Sequence, residues 1–129
     1  MPSTQAAQSH KEAAVTFLTL AAKGQVREAY DRFVAPDFRH HNPHFRGDAA
    51  SLAFAMAQNA AENPGKIFEP KHVVAEGDLV AVHGRVRMKP DSQDFALFHL
   101  FRFANGRIVE LWDVAQPTPA DSVNEHGMF

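Results

Sequence analysis

"DFALFHLFRFANGRIVELWDVAQP", residues 94–117, reads as two strands folded back on a turn at Asn105-Gly106. The Asn-Gly pair suits a two-residue loop with both residues at positive φ, or a three-residue loop in which Gly106 takes the left-handed position of a bulge. The choice matters because side chains alternate along a strand, so a slip of one residue exchanges its two faces.

In the two-residue register Glu110 would stand among aromatic rings on the face of Leu97, His99, Phe101 and Phe103. In the three-residue register those four residues share a face with Val109, Leu111 and Asp113. Phe98, Leu100, Arg102, Ile108, Glu110 and Trp112 then occupy the other face, with Arg102 against Glu110. We prefer the three-residue register because it pairs opposite charges and leaves one face apolar except for His99 and Asp113. A buried polar group without a partner costs roughly 1–3 kcal/mol, so these two are expected to satisfy each other or serve a ligand.

The opposite face is also rich in large apolar groups, and a sheet apolar on both sides has both sides covered. The helices suffice for one face only. We therefore expect a two-fold homodimer through Phe98, Leu100, Ile108 and Trp112.

Upstream, "IFEPKHVVAEGD" (67–78) and "LVAVHGRVRMKP" (79–90) are two further strand segments divided by Gly77-Asp78. Before them the period changes to helical. Ser9 with Glu12 forms a capping-box pattern, and Ala14, Phe17, Leu18 and Ala21 mark a face that Gly24 ends, predicting a helix over 10–23. Val26, Ala29, Tyr30 and Phe33 predict a second helix ended by Pro36. A third, 48–63, is rich in alanine and is expected to be largely buried and without chemistry. Helices first and an antiparallel meander second make an α+β fold, with an irregular tail after Pro117 lying over the sheet.

The 129 residues are expected to form a single domain, 1–129. The formal charge of −2, with no basic or acidic run, argues against nucleic acid and membrane surfaces as partners. No leader pattern opens the chain and no long apolar run follows, so a cytoplasmic location is expected. With no cysteine, chemistry must come from His, Asp, Glu and hydroxyl groups.

"HHNPHFRG" (40–47) concentrates His40, His41 and His44. His40 and His41 would point to opposite sides of a strand and could not share an ion, and His44 follows a proline turn. A short edge strand and a turn are expected here, with no metal.

Four stretches carry a resemblance: "HNP" at 41–43 with a following glycine, "AEGDLVAVH" at 75–83, "LFRFANGRIVELWDV" at 100–114 and "NEHGMF" at 124–129. They resemble the SnoaL-like polyketide cyclase family of the nuclear transport factor 2-like superfamily, over about residues 30–129. The resemblance implies a cone-shaped barrel, a curved and mostly antiparallel sheet wrapped around N-terminal helices. It also implies a pocket between sheet and helices, and cofactor-independent aldol cyclisation with an acidic residue as general acid or base. Asp113 matches that residue, and His41 and Asn42 match the "HNP" at the pocket mouth.

Many relatives carry "DIFR" and "EHWDV" where this chain has His99-Leu100-Phe101-Arg102 and Glu110-Leu111-Trp112-Asp113-Val114. With 99 read as opposite 111, the relatives' Asp and His touch across the strands. Here that contact becomes His against Leu, which frees His99 to work with Asp113.

Asp113 and His99 are thus the expected catalytic pair. Burial would raise the aspartate's pKa and a protonated His99 would lower it. His99 would act as partner base or as donor to an enolate oxygen. The expected ligand is a small hydrophobic carbonyl compound, contacted by His41, Asn42, His83, Tyr30, Phe33, Phe101 and Leu111. Arg85, Arg87 and Lys89 read as a solvated strand edge. A dehydratase, an isomerase or a dimeric binding protein would use the same scaffold.

Overall fold

The computed structural model describes residues 4–129, so the reading of the chain's first three residues as free of a leader lies outside them. The elements run α1 (Thr4–Ala22), α2 (Val26–Phe33), β1 (Val34–His40), α3 (Ala49–Glu62), β2 (Ile67–Glu76), β3 (Leu79–Arg87), β4 (Asp94–Ala104) and β5 (Arg107–Pro117). The strands form one curved, unclosed sheet in the order β1-β5-β4-β3-β2, the α+β cone expected. Every pairing is antiparallel except that of β1 with β5. Among the described residues, no helix is long and apolar enough to cross a membrane.

α1 starts earlier than its sequence pattern suggests. Ser9 lies inside it and caps nothing, and Glu12 instead accepts from the Gln8 amide one turn back at 3.2 Å. The apolar stripe is as read: Ala14, Phe17, Leu18 and Ala21 are all buried. Gly24 ends the helix at φ +87°, and the Gln25 N–H returns to the Leu20 carbonyl, a closure that needs a left-handed residue.

α2 stops at Phe33, and Pro36 falls inside β1 rather than at a helix end. The residue before a proline favours extended backbone, so the chain has already left the helix by Val34. In α3, the Asp48 carboxylate caps the helix by accepting from the Ser51 N–H at 2.9 Å. This helix is not largely buried as expected: Leu52 and Ala60 are covered while Phe54 is 71% exposed, because α3 lays only one stripe on the molecule.

The hairpin combines the two registers considered. Asn105 and Gly106 take φ of 51° and 78° in a two-residue turn, and Phe103 pairs with Ile108. The register then shifts: Arg102 pairs with Glu110, leaving Val109 as the extra residue of a bulge. Below the bulge Ile108 points inward and is fully buried, so it cannot belong to the outer face assigned to it. Above it the inward set is as expected, but His99 stands opposite Asp113, and Leu111 stands opposite Phe101.

The core lies between the inward sheet face and α1. Val80, Val82, Phe101, Ile108 and Leu111 meet Ala14 and Phe17, with the Phe17 and Phe101 rings edge to face at 5.9 Å. Gly84 stands on β3 where an added Cβ would come within 2.7 Å of the Phe68 ring. At the edges, Pro36 sits where the β1 ladder is interrupted, and Lys71 is the extra residue of a bulge in β2 directly after Pro70. The residues after Pro117 are irregular, and the Phe129 ring ends on the outer face between His83 and the Arg85 guanidinium.

Candidate active site

Because β4 and β5 place His99 and Asp113 directly opposite one another on the inward face, both reach one cavity of about 300 Å³ between the sheet, α1 and α3. Its wall is mainly apolar, with Leu18, Leu52, Met56, Phe68 and Leu97 among its residues. The polar side chains on it are Asn42, Asn59, Lys66, His99 and Asp113.

"HHNPHFRG" supplies Asn42, and its histidines hold the turn in shape. His40 is buried; its Nδ1 accepts the Asn42 N–H at 3.1 Å, so its Nε2 donates to the Arg46 carbonyl at 2.6 Å. The Asn42 Oδ1 accepts the His44 N–H at 3.0 Å, which turns its Nδ2 toward Asp113 Oδ2 at 3.2 Å. His41 turns away to the outer face, stacked on Trp112 at 4.9 Å and 2.6 Å from Glu110. The three imidazoles diverge, and among the described residues no group of three or more His, Asp and Glu is placed to hold a metal.

His99 is 8% exposed, and its Nδ1 has no hydrogen-bond partner among the described residues. Burial pulls its pKa down from 6.5 to about 4; the Asp113 charge opposes the fall and Lys66 adds to it. The ring is neutral at pH 7, so it cannot be the protonated neighbour considered for Asp113. The Tyr30 phenol is pushed above its usual range by burial and then by the Asp113 charge.

The cavity unites Asp113, His99 and Asn42, but not the other residues expected to contact a ligand. Tyr30 stands behind Met56, its hydroxyl 3.5 Å from the sulfur, and lines a separate depression between α2 and α3. Phe33 packs under the Arg32 guanidinium at 4.8 Å. Phe101 and Leu111 are 0% and 1% exposed within the core and are not part of the cavity wall. His83 alternates to the outer face with Phe98, stacked at 4.6 Å, because its inward neighbours are Val82 and Gly84.

Arg85 and Arg87 do not form a solvated edge. β3 is an inner strand, and both guanidinium groups grip the carboxylate of Asp94, Arg87 from 2.8 Å. Those contacts, the Arg87 hydrogen bond foremost, hold the Asp94 carboxyl below the usual range.

Lys66 and Asn59 were missed as site residues. Leu52, Ala55, Met56 and Asn59 follow the i, i+3, i+4, i+7 spacing of one helix face, so the placement of Asn59 was legible in principle. Lys66 follows the Pro64-Gly65 turn, and nothing local distinguishes it from a solvated lysine. It is partly buried beside the cavity, its ammonium donating to Asn59 Oδ1 at 2.8 Å, and burial lowers its pKa.

A family model described as a SnoaL-like domain matches residues 14–111. Solved structures share the fold at low identity. AclR from Streptomyces galilaeus, provisionally described as a hydroxylase, is 20% identical with a TM-score of 0.73 over 85% of this chain and 80% of its own. A Bacillus cereus protein, provisionally described as a polyketide cyclase, is 18% identical with a TM-score of 0.76 over 89% and 79%. A Jannaschia protein, provisionally described as a SnoaL-like polyketide cyclase, is 21% identical with a TM-score of 0.68 over 90% and 91%. The comparison with curated proteins gives no match.

Proposed function

The chain belongs to the SnoaL-like domain family, and from that premise we propose that it is a small acid/base enzyme acting on a hydrophobic carbonyl compound without a cofactor. One observation carries the reading: His99 and Asp113 are opposite neighbours on the wall of an otherwise mainly apolar cavity. The descriptions of several structural neighbours as polyketide cyclases support a ring-closing reaction.

Asp113, steadied through one oxygen by Asn42, takes the proton from the carbon next to the ligand carbonyl. His99 is neutral and its Nδ1 is sealed off, so it meets the ligand through Nε2 and donates to the oxygen as enolate charge develops. The enolate carbon then bonds to a second carbonyl carbon of the same molecule. The π electrons of that carbonyl move to its oxygen, which recovers the proton from Asp113. A dehydratase or isomerase would share the first step and differ only in the fate of the enolate.

The test is deuterium wash-in from D₂O at the α-carbon of enolisable aryl ketones such as 2-tetralone, followed by NMR. Asp113→Asn should fold normally and lose wash-in by about 10²- to 10⁴-fold. Equal wash-in in the variant would remove Asp113 from the chemistry. Ketone binding without wash-in in either protein would favour a binding protein.

A cytoplasmic homodimer completes the proposal. Phe98 and Val114 are 54% and 69% exposed as neighbours on the outer face, beside half-buried Leu100 and Trp112. Phe98→Glu should convert the dimer to a monomer in sedimentation velocity; a monomeric wild type refutes this part.

A further inference from the structure

Lys66 is a partly buried cation that the proposed reaction leaves unused. Among the described residues it is in no ion pair, whereas Arg85 and Arg87 on the neighbouring sheet share Asp94. Its hydrogen bond goes to a neutral amide, and two of its N–H groups remain for another acceptor. A lysine can only donate, so the Asn59 oxygen must face it, and the Asn59 Nδ2 donors are left over. Both side chains lie on the wall of the cavity that holds His99 and Asp113.

The charges are disposed for a two-ended ligand. Asp113 accepts from Asn42 and is not within ion-pair distance of Lys66, although both influence His99. The carboxylate is carried by the sheet and the ammonium by the loop between α3 and β2. Attraction between unit charges rises as water is excluded, and a carboxylate accepting from an ammonium and an amide forms charge-assisted bonds.

We infer that Lys66 and Asn59 form the anion-binding end of the cavity and select a ligand bearing a carboxylate. If the reading of Asp113 and His99 as the reacting pair holds, on which this second part rests, the substrate is a carbonyl acid. Its carboxylate lies at Lys66 and its acidic C–H lies toward Asp113. An approaching anion also favours the charged form of Lys66, against the burial that disfavours it, so the site and its ligand reinforce each other.

The experiment uses probes that need no turnover. Binding of 2-naphthoate and of its neutral isostere 2-naphthamide is measured by calorimetry at pH 7 on the full chain. Wild type should bind naphthoate at least about ten-fold more tightly. Lys66→Met should abolish that preference while keeping its affinity for the amide, and Lys66→Arg should retain much of it. Lys66→Gln serves as a second neutral variant if the methionine protein folds poorly, with circular dichroism as the check. Equal binding of the two probes by wild type, no binding of either, or a preference that survives both neutral substitutions would overturn the inference. In Asp113→Asn the preference should persist whether or not wash-in is lost, so failure of the acid/base reading can be told from failure of this one.

Discussion

Replacing His99 by glutamine should reshape the acid side of the stability profile. In the unfolded chain the imidazole binds a proton near pH 6.5, whereas in the folded protein burial delays this to about pH 4. Between those values the unfolded state holds more protons, so stability is full above 6.5 and falls as the pH drops toward 4. A fall from 6.5 to about 4 corresponds to about 3 kcal/mol. Urea denaturation at half-unit intervals from pH 7 to pH 4, on wild type and His99→Gln, isolates the effect because the other titrating groups are common to both. Relative to the variant, wild type should lose about 3 kcal/mol across the window. A second arm uses Asp113→Asn, which removes the charge that favours His99 protonation and should steepen the loss. Parallel wild-type and His99→Gln curves would mean that the ring protonates as easily folded as unfolded, and would refute the buried neutral imidazole.

Glu110 also loses its contribution as the pH falls, but in a lower window and for the opposite cause, stabilisation of a charged form rather than of a neutral one. The His41 hydrogen bond first, and then Arg39, hold its carboxyl down from 4.5 to about 2, so its contribution is present above pH 4.5 and fades as the pH falls toward 2. Glu110→Gln should cost about 2 kcal/mol at pH 7 and progressively less below pH 4.5, read from guanidinium midpoints. Gly84→Ala would drive a methyl group into the Phe68 ring. It should destabilise by about 1–3 kcal/mol in the same assay and, because Phe68 lines the cavity, weaken 2-naphthamide binding.

Much of the fold was legible because local chemistry decided it. Gly77-Asp78 and Asn105-Gly106 punctuate strands whose alternation is clear, and Asp48 caps its helix as its side chain suggests. The bulge at Val109 was not legible, since a bulge needs no special residue and follows from Ile108 filling the core while Glu110 meets Arg102 and Arg39. That one inserted residue decides that His99 faces Asp113 rather than Trp112. Asp113 and His99 stood out as polar exceptions on an apolar face. Lys66 did not, because its burial depends on how α3 closes over the sheet, a tertiary matter that its neighbours in sequence do not record. The crowded histidines drew attention for their number, yet the turn's contribution to the cavity wall includes Asn42 and Phe45 and none of them.

The two prolines at the margins of the sheet bear on how the protein behaves in a crowded solution. Pro36 in β1 and Pro70 in β2 each remove an N–H from a strand that has only one partner, and the bulge at Lys71 places a positively charged residue on the second. An incoming strand therefore meets a broken ladder on either flank, which discourages fibrous stacking of sheets end to end. Self-association is steered away from open-ended growth and toward contacts between faces, which can close on themselves and stop.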